Sequence, residues 1–496
     1  MTQDAATTSE TRNDTSSVSF EIPRTNRGTP ARLVTIFGSL GPNGEKGVHY
    51  IFDVGDAGYR EISLAGDDSL DSIALQAPAA AWSERELHDQ YGVKLEGQPD
   101  ARPLVFHDNW PDGFFPMLGE LGEVPWAQRQ YHFLQVQGEG VAEVAVGPVH
   151  AGIIEPGHFR FSVVGDTILH LELRHFYTHK GTEKLFEGIS PLDGTMLAES
   201  VSGDNCFAHA VCYCQAVESA HGLDVPSRAS ALRLIGLELE RLVCHISDIG
   251  GLCTDVGFGV AAAYATRIKE SLLRASAKCC GTRYWRRIAI PGGLRFDFDS
   301  AKLAELGAAV ASASRDFKEM ARLVLETPSI QNRFEAAGIL SQEAARDLAV
   351  VGPVARASGI DRDVRRDHPY GYYGQHRIEV PVTHYGDVMA RARIRIAEAE
   401  ISTRLIGETV TTLTDGGVFT PLTLQGDAQG FAAVESPRGE LCYWIEIRRH
   451  RITRCHVKSP SFQNWPAMPL AVEGNVIADF PLINKSFTLS YSGCDR

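Results

Sequence analysis

ALRLIGLELERLVCHISDIGGLC, residues 231–253, is the stretch whose reading decides the fold. Leu232, Ile235, Leu239, Leu242 and Ile246 recur at three- and four-residue steps, the period of one helix face, and predict a long helix with that stripe in the core. Outward from it the helical pattern runs from Leu185 to about Leu348. SASRDFKEMARLVLETPSI (312–330) and SQEAARDLAVV (341–351) read as further helices, the second opened by a serine able to cap free backbone N–H groups. GDVMARARIRIAEAEISTRLI (386–406) predicts another long helix, and ELCYWIEIRR (440–449) and RITRCHVKSP (451–460) return the chain to strands.

Ahead of the helices, residues 141–174 read as two or three strands with a hairpin turn at Gly165-Asp166. Residues 18–130 read as a small α+β unit: ARLVTIFG and GVHYIFDV alternate as strands around the turn GPNGEKG, and a polar helix follows at Trp82–Tyr91. GQPDARPLVFHDNWPDGFFPM (97–117) has the composition of an ordered, extended excursion along a partner surface. Residues 1–17 are polar and acidic with no apolar core, which predicts a disordered tail rather than a signal peptide. The expected fold class is α+β, with a small N-terminal α+β domain at 18–130 and a mainly helical domain with peripheral strands at 141–496.

The formal charge of −14 argues against nucleic acid as a main partner, because phosphate binding needs a net basic footprint. No stretch approaches the roughly 18 consecutive apolar residues of a membrane-spanning helix. The ten cysteines form no C-x-x-C pair and sit mostly on helical segments, which predicts free buried thiols in a reducing cytoplasm.

Two sets of motifs carry a resemblance. AAWSERELHDQYGVKLEGQPDARPLVFHDNW (80–110) resembles the 30-kDa-type subunit of respiratory complex I. GPVHAGIIEPGHFRF (147–161), HFYTHKGTEKLFEG (175–188), DNCFAHAVCYCQAVE (204–218), GPVARASGIDRDVRRDHPY (352–370), SPRGELCYWIEI (436–447) and VKSPSFQNWP (457–466) resemble the complex I 49-kDa-type subunit. They are equally similar to the large subunits of group 4 membrane-bound [NiFe] hydrogenases, and the fusion of both blocks resembles a formate-hydrogenlyase large subunit.

In hydrogenases two C-x-x-C pairs supply the thiolates that a soft, redox-active Ni–Fe centre needs. The resemblance lays those four positions on Ser202, Asn205, Ser490 and Gly493, so no Ni–Fe centre is expected. Cys206, His209 and Cys494 stand as weak residual metal candidates, each displaced from the old ligand positions. Glu155 corresponds to the hydrogenase proton-shuttling glutamate, and Arg438 to the arginine overhanging the metal. Asp255 is matched to the aspartate that pairs with the quinone-contacting histidine of complex I, and Gly203 stands where its quinone tyrosine would be. His150 adjoins the same loop, and Glu155, Asp255 and Arg438 are expected to form one buried carboxylate–guanidinium set.

The resemblance implies an oxidoreductase subunit that is not active alone. It would sit peripherally on the cytoplasmic face of the membrane, beside an iron–sulfur small subunit of the complex I 20-kDa type that carries a [4Fe-4S] cluster. Membrane-arm subunits and a quinone are the other implied partners. An active [NiFe] hydrogenase and a non-enzymatic scaffold are the alternatives.

Overall fold

A computed structural model describes residues 8–12, 21–66, 68–120, 122–150 and 154–496. Numbering only the principal elements, the first sheet comprises β1 (Thr8–Arg12), β2 (Arg32–Leu40), β3 (Lys46–Asp53) and β4 (Tyr59–Gly66), in the order β1-β4-β3-β2. Strands β2 and β3 form the expected hairpin, with Ile36 opposite Tyr50. Helix α1 (Ala81–Tyr91) covers one face, and Ile36, Tyr50, Phe52, Leu87 and Tyr91 form a local core.

Part of the expected tail is structured: β1 pairs parallel with β4, Thr8 opposite Arg60. An open sheet edge offers unpaired backbone groups, so it accepts an extended segment whatever its side chains. The remainder of 1–17 lies outside the described residues.

The second sheet is an antiparallel run of β5 (Val141–Val146), β6 (His158–Val164) and β7 (Thr167–Arg174). The extended excursion lies along this sheet, so the surface it covers belongs to the same chain. Arg174 donates to the carbonyls of Pro103 and Phe106, Arg102 pairs with Glu172, and Leu104, Val105 and Phe106 enter the main core.

The helical body is built from α2 (Cys206–Ala220), α3 (Ser227–Asp255), α4 (Gly259–Cys280), α5 (Ser300–Glu326) and α6 (Val388–Thr412). The α3 stripe is in the core as read: Leu232, Ile235, Leu239, Leu242 and Ile246 are all buried. Each such side chain contributes about 2 kcal/mol through burial. The adjacent face of α3 is buried too, and it carries Glu238, Arg241, His245 and Asp248.

A third sheet, β8 (Ala428–Ser436), β9 (Gly439–Arg448) and β10 (Arg451–Lys458), packs α2 on one side. Its other side meets the first sheet, where Phe37 and Ile51 join Trp444 and Cys442 in a shared cluster. The β8–β9 hairpin turns at Pro437-Arg438, with Ser436 opposite Gly439. A Cβ on Gly439 would lie 2.7 Å from the Gly352 backbone nitrogen, so only glycine lets this turn seat against 352. That contact fixes where Arg438 stands.

Candidate functional site at the paired loops

Three of the four ligand positions that the resemblance singles out come together, and the fourth, Asn205, faces Ser436 instead. Ser202 lies in the loop before α2, Ser490 is the N-cap of the helical turn Tyr491–Asp495, and Gly493 lies within that turn. The Ser202 and Ser490 hydroxyls are 2.9 Å apart, and Gly493 N–H donates to Ser490 Oγ at 2.9 Å. Asn205, the N-cap of α2, turns its amide nitrogen toward Ser436 at 3.4 Å, while its Oδ1 is buried without a partner.

Lys180 ties both loops together. Its Nζ donates to Ser492 Oγ at 2.6 Å and to the Val201 carbonyl at 3.2 Å, and Ser492 Oγ itself donates to Val201 O at 2.8 Å. Burial lowers the Lys180 pKa, opposed by Glu155 and Asp495 nearby. Glu155 accepts from Ser492 N–H at 2.8 Å, which places it at the same loop. Asp495 accepts from Thr178 N–H and Oγ–H with one oxygen, and burial raises its carboxyl to about 6. His150 holds the neighbouring loop through Nε2 to the Gly157 carbonyl, 2.8 Å.

Arg438 is gripped by two carboxylates, but neither is the expected one. Its Nε donates to Asp204 at 2.9 Å and its Nη1 to Asp248. Asp255 is exposed at the C-terminal end of α3. It shares the face of Asp248 but sits seven residues on, about 10 Å farther along the helix axis. The expected set of Glu155, Asp255 and Arg438 is therefore corrected: Glu155 bonds the Ser492 loop, and Asp248 takes the place assigned to Asp255. Burial opposes ionisation of Asp248, yet the Arg438 charge outweighs it and holds the carboxyl well below its usual range.

The donor chemistry does not fit a Ni–Fe centre. Two hydroxyls, one amide and a glycine stand where four thiolates are needed, and protonated hydroxyls and amides are poor ligands for a soft metal. The residual candidates do not gather either. Cys206 points its thiol at the Tyr284 carbonyl, 3.5 Å away, and burial pushes it up to about 12. His209 Nδ1 is 2.8 Å from the Tyr443 hydroxyl, and burial lowers this histidine to about 3. Cys494 is fully buried, and burial raises its thiol well above its ordinary value. Among the described residues no group of three or more His, Cys, Asp or Glu side chains is placed to hold a metal ion.

Beside Arg438 a cavity of about 290 Å³ opens, lined by Gly203, Asp204, Glu240, Cys244 and Ser247 with Phe207 and Trp285 as its apolar walls. A Cβ added at Gly203 would meet no atom within 4 Å, so the first carbon of a side chain has free space at this wall of the cavity. Glu240 accepts from Phe207 and Ala208 N–H at 2.8 and 3.0 Å, and burial, opposed by those two bonds, raises it to about 8.

Sequence reasoning missed His245 and Asp248, and with them the buried ions behind Arg438. The signal was present as a second stripe: Glu238, Arg241, His245 and Asp248 on α3, and Arg391, Arg395, Glu398 and Ser402 on α6, at three- and four-residue steps.

The family description "Respiratory-chain NADH dehydrogenase, 49 Kd subunit" matches residues 255–426 and 424–496, and the corresponding 30 Kd description matches 46–120. The chain is 33% identical to formate hydrogenlyase subunit 5 of Escherichia coli (strain K12) over 477 residues, spanning 92% of this chain and 82% of that protein. It is 32% identical to hydrogenase-4 component G of the same organism, covering 86% of this chain and 75% of that one. An NADH-quinone oxidoreductase subunit of Phocaeicola vulgatus is 27% identical over 91% of this chain and 93% of its own length. This chain belongs to the family of fused oxidoreductase subunits that includes formate hydrogenlyase subunit 5 and hydrogenase-4 component G. A chain in the structure of the membrane-bound sulfane sulfur reductase, an archaeal respiratory membrane complex, shares the fold, with a TM-score of 0.68 at 24% identity over 72% of this chain and 99% of that one. Among the described residues no helix is long and apolar enough to cross a membrane.

Proposed function

We propose that this chain is the peripheral-arm subunit of a membrane-bound oxidoreductase that couples electron transfer to proton chemistry without a Ni–Fe centre. A partner iron–sulfur subunit delivers the electrons from its own [4Fe-4S] cluster, and membrane-arm subunits anchor the complex at the cytoplasmic face. One observation carries the reading: Ser202, Ser490 and Gly493, three of the four ligand positions, meet as hydroxyls and glycine, while a complete ionic wall of Asp204, Arg438 and Asp248 stands next to them. The cavity at Gly203 and Arg438 is this chain's share of the acceptor site, with an apolar wall for a quinone-like ring and charged groups at its base. Lys180, Glu155 and Asp495 are the proton-handling groups at the loops.

Metal analysis of the purified complex tests this directly: iron at the level of the cluster subunit and no stoichiometric nickel is expected. Stoichiometric nickel would overturn it in favour of a hydrogenase, the reading that overall similarity to formate hydrogenlyase subunit 5 favours. Glu155→Gln and Gly203→Tyr, each in the assembled complex, are expected to lower turnover at least tenfold, the first by removing a proton carrier and the second by filling the cavity. Unchanged turnover in both, with assembly intact, would reduce the chain to a scaffold.

A further inference from the structure

Behind Arg438 the buried ions join into one network whose charges balance. Arg438 and Arg395 both hold Asp248, His245 adjoins Asp248 and Glu398, and Glu398 accepts from Arg356 Nε at 2.8 Å. Arg356 continues to Glu435 at 2.9 Å and to Asp363 at 3.5 Å. Arg365 then bridges Asp363 to Glu238, which also meets Arg241. Among the described residues Glu238, Asp248, Asp363, Glu398 and Glu435 thus stand against Arg241, Arg356, Arg365, Arg395 and Arg438, one guanidinium to each carboxylate.

In front of Arg438 the balance is different. The loop at 281–287 supplies Arg283, Tyr284 and Trp285 to the cavity wall, and α4 supplies Lys269. Trp285 and Arg287 both have a left-handed backbone, φ 56° and 64°, which bulky residues rarely adopt. That path leaves Tyr284 exposed and seats the Trp285 indole against Phe207 and Phe298, with ring centroids 5.4 and 5.1 Å apart. Trp285 Nε1 is buried and has no hydrogen-bond partner.

Arg283 is taken by Glu270 at 2.6 Å. Lys269, half-buried, makes no ion pair or hydrogen bond among the described residues. Arg286, Arg287 and Arg295 are exposed, and their charges all act on one carboxylate, Glu199, which accepts from Arg287 N–H at 2.6 Å. The Arg286 charge also acts on Cys206, beside Phe207 of the cavity wall. Lys269, Arg286, Arg287 and Arg295 therefore face Asp204 and Glu199, four cations to two carboxylates, and Asp204 is itself bonded by Arg438. With Glu240 ionised as well the excess stays positive. On a chain of formal charge −14 this is a local reversal of sign, and a cleft lined by one sign of charge concentrates ligands of the other.

We propose that the cavity takes a small ring compound that carries a negative charge, its ring against Phe207 and Trp285 and its anionic group at Lys269 and the arginine loop. The volume of about 290 Å³ lies at the small end of ligand pockets and suits one fused ring system rather than a long apolar tail. A ring oxygen within reach of Trp285 Nε1–H would give that donor the acceptor it lacks. That this ligand is the electron acceptor rests on the proposed function; its charge does not.

Titration calorimetry of the full chain tests the charge, with 1,4-naphthoquinone-2-sulfonate as the anion and menadione as its neutral counterpart. The sulfonate is expected to bind about tenfold tighter in dilute buffer and to lose that lead in high salt. Lys269→Gln, on the surface of α4, should remove most of the lead, and Arg286→Gln a smaller part of it. Equal affinities in the wild type, no binding of either compound, or a lead that survives Lys269→Gln would overturn the proposal. The assembled complex separates the two readings. Charge-selective binding without reduction of the bound sulfonate would leave the anion site standing and remove the acceptor role. Reduction of both compounds at the same KM would keep the acceptor role and overturn the selection for charge.

Discussion

The paired loops and the ionic network lie side by side and are joined through Asp204 and Arg438, yet they are built on opposite principles. At the loops the groups are small and mostly neutral, and most find a partner within a few residues or across the gap: Ser202 with Ser490, Ser490 with Gly493 N–H, Ser492 with Val201 O. Replacing one of them costs about one neutral hydrogen bond, roughly 0.5–1.5 kcal/mol. In the network every member is charged, nearly all are buried, and each is shared among several partners. Removing one leaves a charge that nothing else can meet. The loops can therefore change their chemistry while Arg438 stays where it is, because its position is set by Asp248 and the Gly352–Gly439 contact rather than by whatever occupies the ligand positions.

Arg356→Met should produce the largest effect. It removes the guanidinium that Glu398 and Glu435 share, leaving Asp363 to Arg365, and breaking a buried pair typically costs about 3–5 kcal/mol. Chemical denaturation of the full chain measures it. A loss below about 1 kcal/mol would erase the contrast between network and loops.

Asp495→Asn sharpens the same contrast at the loop side through pH. The Asp495 carboxyl is raised from its ordinary 3.8 to about 6 by burial. As pH rises between these values the unfolded chain loses this proton first while the folded chain keeps it. Stability from this group is thus complete at low pH and is lost as pH climbs through about 6. A displacement of this size corresponds to about 2–3 kcal/mol. The asparagine variant should lack that decline, and so gain on the wild type between pH 4 and 7 in denaturation midpoints. Parallel pH curves for the two proteins would show that Asp495 ionises freely in the fold.

Much of this architecture was legible in residues 231–253 and 386–406, because apolar residues at helical steps report burial directly. The hairpins at 32–53 and 158–174 were legible for the same reason at period two. Convergence of Ser202, Ser490 and Gly493 followed from the resemblance; nothing in their own spacing joins residues 288 apart. What stayed hidden was the polar side of α3. Nothing in the sequence marks Glu238, Arg241, His245 and Asp248 as buried, since charged side chains are seldom fully buried and only the tertiary fold supplies the counter-ions that permit it. Asp255 was matched to the pairing aspartate through its motif, and the structure decides against it: it lies seven residues beyond Asp248 on the same helix face, and it is Asp248 that reaches Arg438. The edge strand Thr8–Arg12 was invisible because TSETR carries no alternation of apolar and polar residues.

The smallest predicted effect tests whether the loops are joined through the position pair itself. Ser202→Ala removes a hydroxyl that bonds both Asp204 and Ser490, and half-exposed Asp204 can turn to water instead. Ser490→Ala removes the same bridge and also the acceptor for Gly493 N–H. Each single change is expected to cost about 1 kcal/mol, the serine at 490 more than that at 202. In a double-mutant cycle the coupling should be about 0.5–1 kcal/mol, the share that belongs to the bridge. A coupling near zero would mean that Lys180, bonded to Val201 O on one loop and Ser492 on the other, carries the connection alone. The loops would then be held by a charge, as the network is, and the contrast between the two regions would narrow to the positions that once invited a metal.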